Sequence, residues 1–165
     1  MPLNLELKIQ VDSHAEIISK LKKIGAEDKG MLIQKDIYYK VKNGLLKLRV
    51  ENKTYTLIKY LRDEKGKRWS NYELLRLDGK NPEKYISEIF DIAVVVEKKR
   101  RFYLYKNTRV HLDSVKNLGG FLELETLLVG NKNDAQKRFD EMVRLLDLDL
   151  RRQIRSSYKD LMMKR

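Results

Sequence analysis

The chain has 165 residues, 36 Lys plus Arg against 24 Asp plus Glu, a formal net charge of +12 and no cysteine. That length suits one core of ordinary size, so a single domain over residues 1–165 is expected, and the absence of thiols excludes disulfides, thiolate metal sites and a cysteine nucleophile. The charge calls for an anionic partner without saying whether it is nucleic acid, an acidic membrane or a small polyphosphate. With two histidines, His14 and His111, metal chemistry would rest on carboxylate oxygen, which suits hard divalent cations. No apolar run approaches the roughly 20 residues that cross a bilayer, and the opening residues alternate instead of forming a signal-peptide core, so a cytoplasmic protein is expected.

Leu3 to Val11 alternate without a fault, with Leu5, Leu7 and Ile9 on one face and Asn4, Glu6 and Lys8 on the other, which predicts a two-faced strand. Ser13 and Glu16 have capping-box spacing ahead of a helix carrying Ile17, Ile18, Leu21 and Ile24 and closed by Gly25. A strand over about 31–41 leads to the hairpin signal Asn43-Gly44, a strand from Leu45, a turn at Asn52-Lys53 and a strand over 54–62. A charged loop at 63–67 precedes a strand over about 68–77. Asn81-Pro82 then opens a helix to Phe90, expected to pack through Tyr85, Ile86, Ile89 and Phe90. Strands follow at about 93–105, 108–113 and 121–129, separated by Lys106-Asn107 and Leu118-Gly119-Gly120. A helix over about 133–146 and a short one near 155–163 end the pattern. The last is basic and amphipathic, and docking on the rest of the fold is preferred to membrane binding.

About eight antiparallel strands with few helices predict a mostly β (α+β) fold, a closed eight-stranded antiparallel β-barrel with peripheral α-helices, because closure removes exposed sheet edges. Such a barrel holds either packed side chains or one small ligand. The polar faces of these strands are heavily ionic, so they either meet solvent or line a charged lumen.

Two constellations could carry chemistry. Asn4, Glu6 and Lys8 on the first strand, Glu123 and Glu125 on the last and Asp113 on the strand between would converge if the barrel closes there, supplying oxygen ligands for a divalent cation. Lys47, Arg49, Lys59, Arg62, Arg68, Lys98, Arg100 and Arg109 lie on separate strands and could surround a phosphate chain, whose oxygens exchange hydration for charge-assisted bonds. A solvated face or a nucleic-acid groove would use the same residues. His111 reads as a core or surface histidine or as a base, His14 as structural, and the many strand tyrosines could stack a base or simply pack. No P-loop, dinucleotide glycine motif, zinc-protease helix motif or nucleophile elbow occurs.

Asn4-Leu5-Glu6-Leu7-Lys8 resembles the Glu-x-Glu-x-Lys signature of the CYTH superfamily, the triphosphate tunnel metalloenzymes. The likeness continues in order through Lys35 to Tyr39, Leu46 to Arg49, Leu57 to Tyr60, Val96 to Arg100, Arg109 to Asp113 and Leu118 to Glu125. The resemblance implies a tunnel in which Glu6, Asp113, Glu123 and Glu125 hold Mg2+ or Mn2+, and in which Lys8, Arg49, Lys59, Lys98 and Arg100, with Lys47 and Arg109 as weaker members, contact a triphosphate. It implies a small-molecule partner (ATP, tripolyphosphate or thiamine triphosphate) and counts against nucleic acid and membrane; the oligomeric state stays open. The Leu-Lys-Leu-Arg and Leu-Ile-Lys-Tyr blocks and the segment Ser156 to Leu161 resemble the class IV adenylyl cyclase-like branch, which implies formation of cyclic AMP and pyrophosphate from ATP. Triphosphate hydrolysis, or polyphosphate binding without turnover, remains the alternative. The group that would activate the nucleophile stays open. The chain departs from the signature at its first position, where Asn4 replaces a Glu and removes one negative charge.

Overall fold

A computed structural model describes residues 3–62 and 69–165, with side chains omitted also at 61, 62, 69 and 70. The alternating segments form eight strands: β1 (Leu3–Val11), β2 (Glu27–Tyr39), β3 (Leu45–Glu51), β4 (Thr54–Arg62), β5 (Trp69–Leu77), β6 (Ile92–Tyr105), β7 (Thr108–Val115) and β8 (Gly119–Leu127). They pair antiparallel into a closed barrel in the order β1-β5-β4-β3-β2-β6-β7-β8. The helices are α1 (Ala15–Lys23), α2 (Pro82–Ile89), α3 (Lys132–Leu145) and α4 (Tyr158–Met163), with a short 3-10 turn at Leu150–Arg152.

The period of two fixes which way the barrel is turned. On β1, Leu5, Leu7 and Ile9 face outward and join Val110, Leu112, Leu122 and Leu124 beneath Ile17 and Leu21 of α1 and Phe139 and Met142 of α3. This layer between barrel and helices is the main core, and each fully buried Leu or Phe in it contributes about 1.5–3 kcal/mol. With the apolar face spent outside, the ionic face must point inward, which resolves the solvent-or-lumen alternative in favour of the lumen. α2 covers Ile37, Tyr39 and Leu48 on the far side of the barrel.

Several local expectations are corrected. Ser13 and Glu16 form no capping box: the helix starts after His14, whose Nε2 pairs with the Phe121 carbonyl at 2.9 Å, while the Ser13 hydroxyl accepts from Ala15 N–H. Of the α2 residues expected to pack, Ile86 is buried, but Tyr85 and Ile89 are 69% and 61% exposed because this eight-residue helix meets the sheet along one narrow stripe. β2 begins earlier, at Glu27, because its pairing with β6 continues past a bulge near Gly30. The loop expected at 63–67 lies outside the described residues, as do Arg68 and the Arg62 side chain.

β1 pairs with β5 only from Leu3 to Leu5, among the described residues. Farther along the same strand, Ile9 bridges to Gln153 and Ile154 N–H donates to the Lys8 carbonyl at 2.8 Å. The segment before α4 therefore lies along β1. Ser157 then caps α4 reciprocally with Asp160, and Tyr158 packs edge-on against Phe121. The expected docking of this helix on the barrel is observed, though it is shorter at its start than 155.

Candidate active site

The lumen is a tunnel with a cavity of about 270 Å3. Its lining includes Glu6, Lys8, Lys47, Arg49, Lys98, Arg100, Arg109, His111, Glu123 and Glu125, so most of the residues expected at the site do converge. Register places them. Glu6 stands opposite Glu125 and Lys8 opposite Glu123 across β1 and β8, while Arg109 and His111 of β7 stand opposite Glu125 and Glu123.

Two buried carboxylates organise the cations. Asp36, with no solvent exposure, accepts hydrogen bonds from Lys98 at 2.7 Å, Lys47 at 3.0 Å and Arg49 at 2.8 Å through two guanidinium nitrogens. Burial opposes its ionisation, but Arg49, Lys47 and Lys98 together hold its carboxyl well below the usual range. Burial and the charge of Arg49 pull Lys47 down to about 8 against the attraction of Asp36. Asp113 takes a two-point contact from Arg100 at 2.7 and 2.8 Å and the Tyr158 hydroxyl at 2.6 Å. Although burial acts against it, Arg100 holds Asp113 down at about 2.

Asp113, expected as a metal ligand, is not among the three residues whose ligand atoms come together. It stands opposite Phe121, beyond the Glu123 level, and both of its oxygens are occupied by Arg100 and Tyr158. Lys59 departs from expectation as well. Ile58 and Tyr60 of β4 face the tunnel, which turns Lys59 outward to Glu73 at 3.5 Å with its side chain 53% exposed. The sequence reading also missed Asp36, whose signal was its alternation with Gln34 and Tyr38 on one face of β2. Tyr60, grouped with the strand tyrosines that could stack a base or pack, donates its hydroxyl to Glu6, and Tyr158, given no role at the site, places its ring 4.1 Å from Lys8 Nζ.

Three side chains are close enough together that they could hold a cation. One ligand atom from each of His111, Glu123 and Glu125 lies within 4.8 Å of the others. His111 Nδ1 is buried and has no hydrogen-bond partner among the described residues. Burial, with the neighbouring Arg100 charge, lowers His111 to about 3, so the imidazole is neutral and its nitrogen can coordinate. Lys8 and Arg100 hold Glu123 ionised, down to about 2, against the effect of burial. Two carboxylates and a neutral imidazole fit a divalent cation. Glu6 lies on the neighbouring strand outside this trio, and Arg109 contacts Glu125 at 2.8 Å.

This arrangement of a barrel with cations and carboxylates directed inward has counterparts. Residues 3–158 match the CYTH domain family. The chain belongs to the CYTH domain family. A relative from Methanocaldococcus jannaschii, named "putative adenylate cyclase", is 25% identical over 96% of this chain and 98% of its own length. The solved structure of the PH1012 protein from Pyrococcus horikoshii OT3 superposes with a TM-score of 0.81 at 24% identity, covering 96% of this chain and 98% of that one. A Hippeastrum protein described as a "putative adenylyl cyclase" with a dominant triphosphatase activity superposes with a TM-score of 0.70 at 11% identity, covering 99% of this chain and 96% of that one. At those identities the two solved structures show the shared fold alone. The family is metal-dependent and acts on triphosphates, and this chain retains the tunnel and an acidic cluster able to hold a metal. No helix among the described residues is long and apolar enough to cross a membrane.

Proposed function

We propose that the tunnel is the active site of a divalent-metal-dependent enzyme that breaks a phosphoanhydride bond in a triphosphate. The observation that carries this reading is the meeting of Lys8, Lys47, Arg49, Lys98, Arg100 and Arg109 with the trio of His111, Glu123 and Glu125 around one enclosed space. A phosphate chain entering that space exchanges water for charge-assisted hydrogen bonds. Asp36 and Asp113 fix the orientation of Arg49 and Arg100 beforehand, so these groups need not reorganise as charge develops on the reacting phosphoryl group. Mg2+ or Mn2+ held by His111, Glu123 and Glu125 would neutralise charge on phosphoryl oxygens. The cradle also holds the reacting atoms in line, which is the larger share of what a protein contributes to such chemistry.

The first reading is cyclisation, in which the ribose 3′ oxygen of ATP attacks the α-phosphorus and pyrophosphate leaves. The name of the Methanocaldococcus relative supports it. The second is hydrolysis, in which water attacks the γ-phosphorus, supported by the activity described for the Hippeastrum protein. Incubation with Mg2+ or Mn2+ and either ATP or tripolyphosphate, followed by product analysis, separates them: cyclic AMP with pyrophosphate marks the first, orthophosphate the second. Glu125→Gln should lower turnover by about a hundredfold or more, above the ten- to hundredfold typical of outer-shell partners, and weaken Mn2+ binding in a titration while the far-UV spectrum stays unchanged. Wild type yielding neither product, or Glu125→Gln retaining full turnover, would refute the proposal.

A further inference from the structure

The outer wall of the barrel carries an apolar row that runs across five strands. Register aligns Leu75 of β5 with Leu57 of β4, Leu48 of β3, Ile37 of β2 and Val95 of β6. At about 4.8 Å between strands the row spans roughly 19 Å along the sheet, whereas a helix with its side chains is about 10–12 Å wide. α2 therefore covers the middle of the row, where Ile37 and Leu48 are buried, and leaves both ends bare: Leu75 is 60% and Val95 38% exposed. The helix adds to this bare surface. Its Pro82 and Ile86 are buried against the sheet, which turns Lys84, Tyr85, Glu88 and Ile89 outward as one face. Positions four apart stack along a helix, so two rows run side by side on that face. Tyr85 with Ile89 is apolar, and Lys84 with Glu88 is of opposite charge, 3.5 Å apart.

An apolar surface of this kind gains from being covered, and the charges around it say by what. Residues 78–91 hold Asp78, Glu83, Glu88 and Asp91 against Lys80 and Lys84, a net charge of −2 that leaves +14 on the rest of the chain. The anionic partners that the total charge invites find no row of cations here. Two copies of the chain, by contrast, can approach through this stretch without bringing their basic faces together. The two rows also complement themselves. When a helix packs antiparallel on its own copy about a twofold axis, equivalent rows face each other in reverse order. Tyr85 then meets Ile89 of the partner subunit and Lys84 meets Glu88 of the partner subunit, which buries the apolar row and pairs both charges.

We infer that the outward face of α2 is a dimerisation surface, on which a second copy of this chain docks antiparallel about a twofold axis. Tyr85 and Ile89 form its apolar centre, and Lys84 and Glu88 set its register. None of these four residues lines the tunnel, so the inference stands apart from the proposed reaction.

The test is sedimentation velocity over about a hundredfold range of protein concentration, in which the wild-type mass should rise from monomer to dimer. Ile89→Lys should remain monomeric throughout with an unchanged far-UV spectrum, because the side chain it replaces is exposed in the single chain. Lys84→Glu and Glu88→Lys should each weaken self-association by at least about tenfold, since each sets like charges opposite one another at two places. An equimolar mixture of these two variants should recover the dimer, because opposite charges then face each other again at both places. Loss of the pair within the helix cannot mimic that result, as neither variant regains it on mixing. Wild type sedimenting as a monomer at every concentration overturns the second copy as the occupant, and a dimer that survives Ile89→Lys overturns α2 as its seat. Charge variants that associate as wild type does, or a mixture that stays monomeric, overturn the antiparallel arrangement.

Discussion

Replacing Asp36 by Asn keeps the side-chain shape and removes one charge from the middle of the cation cluster. The carboxylate it replaces has no solvent exposure and holds Lys98, Lys47 and Arg49 at 2.7 to 3.0 Å. Breaking a buried ion pair from one side costs about 3–5 kcal/mol, since the remaining charge keeps its desolvation penalty without its partner. Part of that loss is recoverable, because Lys47, already lowered to about 8, can give up its proton. A net loss near the lower end, about 3 kcal/mol at pH 7, is expected. At about 2–4 °C per kcal/mol for a chain of this length, the melting midpoint should fall by about 6–12 °C. The informative measurement is urea unfolding with and without tripolyphosphate. The polyanion supplies the missing negative charge, so Asp36→Asn should gain more stability from it than wild type does. An unchanged urea midpoint, or an equal gain from tripolyphosphate in both proteins, would show that Asp36 does not hold the cations in place.

Other consequences are simpler to check. Tyr158→Phe removes the 2.6 Å hydrogen bond to buried Asp113 and should cost about 1–3 kcal/mol in urea unfolding. It should also raise KM for the triphosphate more than it lowers kcat, since the ring beside Lys8 remains but Arg100 is less firmly held. Lys59→Ala should leave turnover within about twofold of wild type, because that amine faces Glu73 on the outer surface; a larger loss in steady-state assays would contradict the register of β4. Asp36, Asp113 and Glu123 all have folded values below their ordinary carboxylate values. Their contribution to stability is therefore complete above about pH 4.5 and lost as the pH falls toward 2, while His111, lowered to about 3, makes the unfolded state bind an extra proton below its usual 6.5; urea midpoints should therefore begin to decline below about pH 6.5 and fall more steeply below about 4.5.

The parts of this molecule that were legible in its sequence are those where one face is wholly apolar and the other wholly polar. Leu5, Leu7 and Ile9 set the phase of β1 beyond doubt, and with it the direction of Glu6 and Lys8. β4 lacks that contrast: Leu57 and Ile58 are adjacent and Tyr60 suits either side, so nothing local marks Lys59 as outward and Ile58 as inward. Asp36 was hidden for the opposite reason, since a lone carboxylate between Lys35 and Ile37 looks like a surface charge until the strands carrying Lys47, Arg49 and Lys98 are brought beside it. Asp113 was picked out along β7, but spacing along that strand cannot show that its oxygens accept from Arg100 and Tyr158 of other elements. Pairings between elements distant in the chain are what alternation cannot supply.

The seam at β1 has a consequence for how the protein comes into being. Its first strand waits for β8 on one side and for residues 153–154 on the other, and Lys8 Nζ finds the Ser156 carbonyl 148 positions farther along. During synthesis on the ribosome the cradle stays incomplete until these late segments emerge, so a chain stalled after β7 would carry most of the cations on a sheet still open between β7 and β1. Such wide separations also predict slow barrel closure, with the final docking of the α4 segment as the step that seals the charged interior from water.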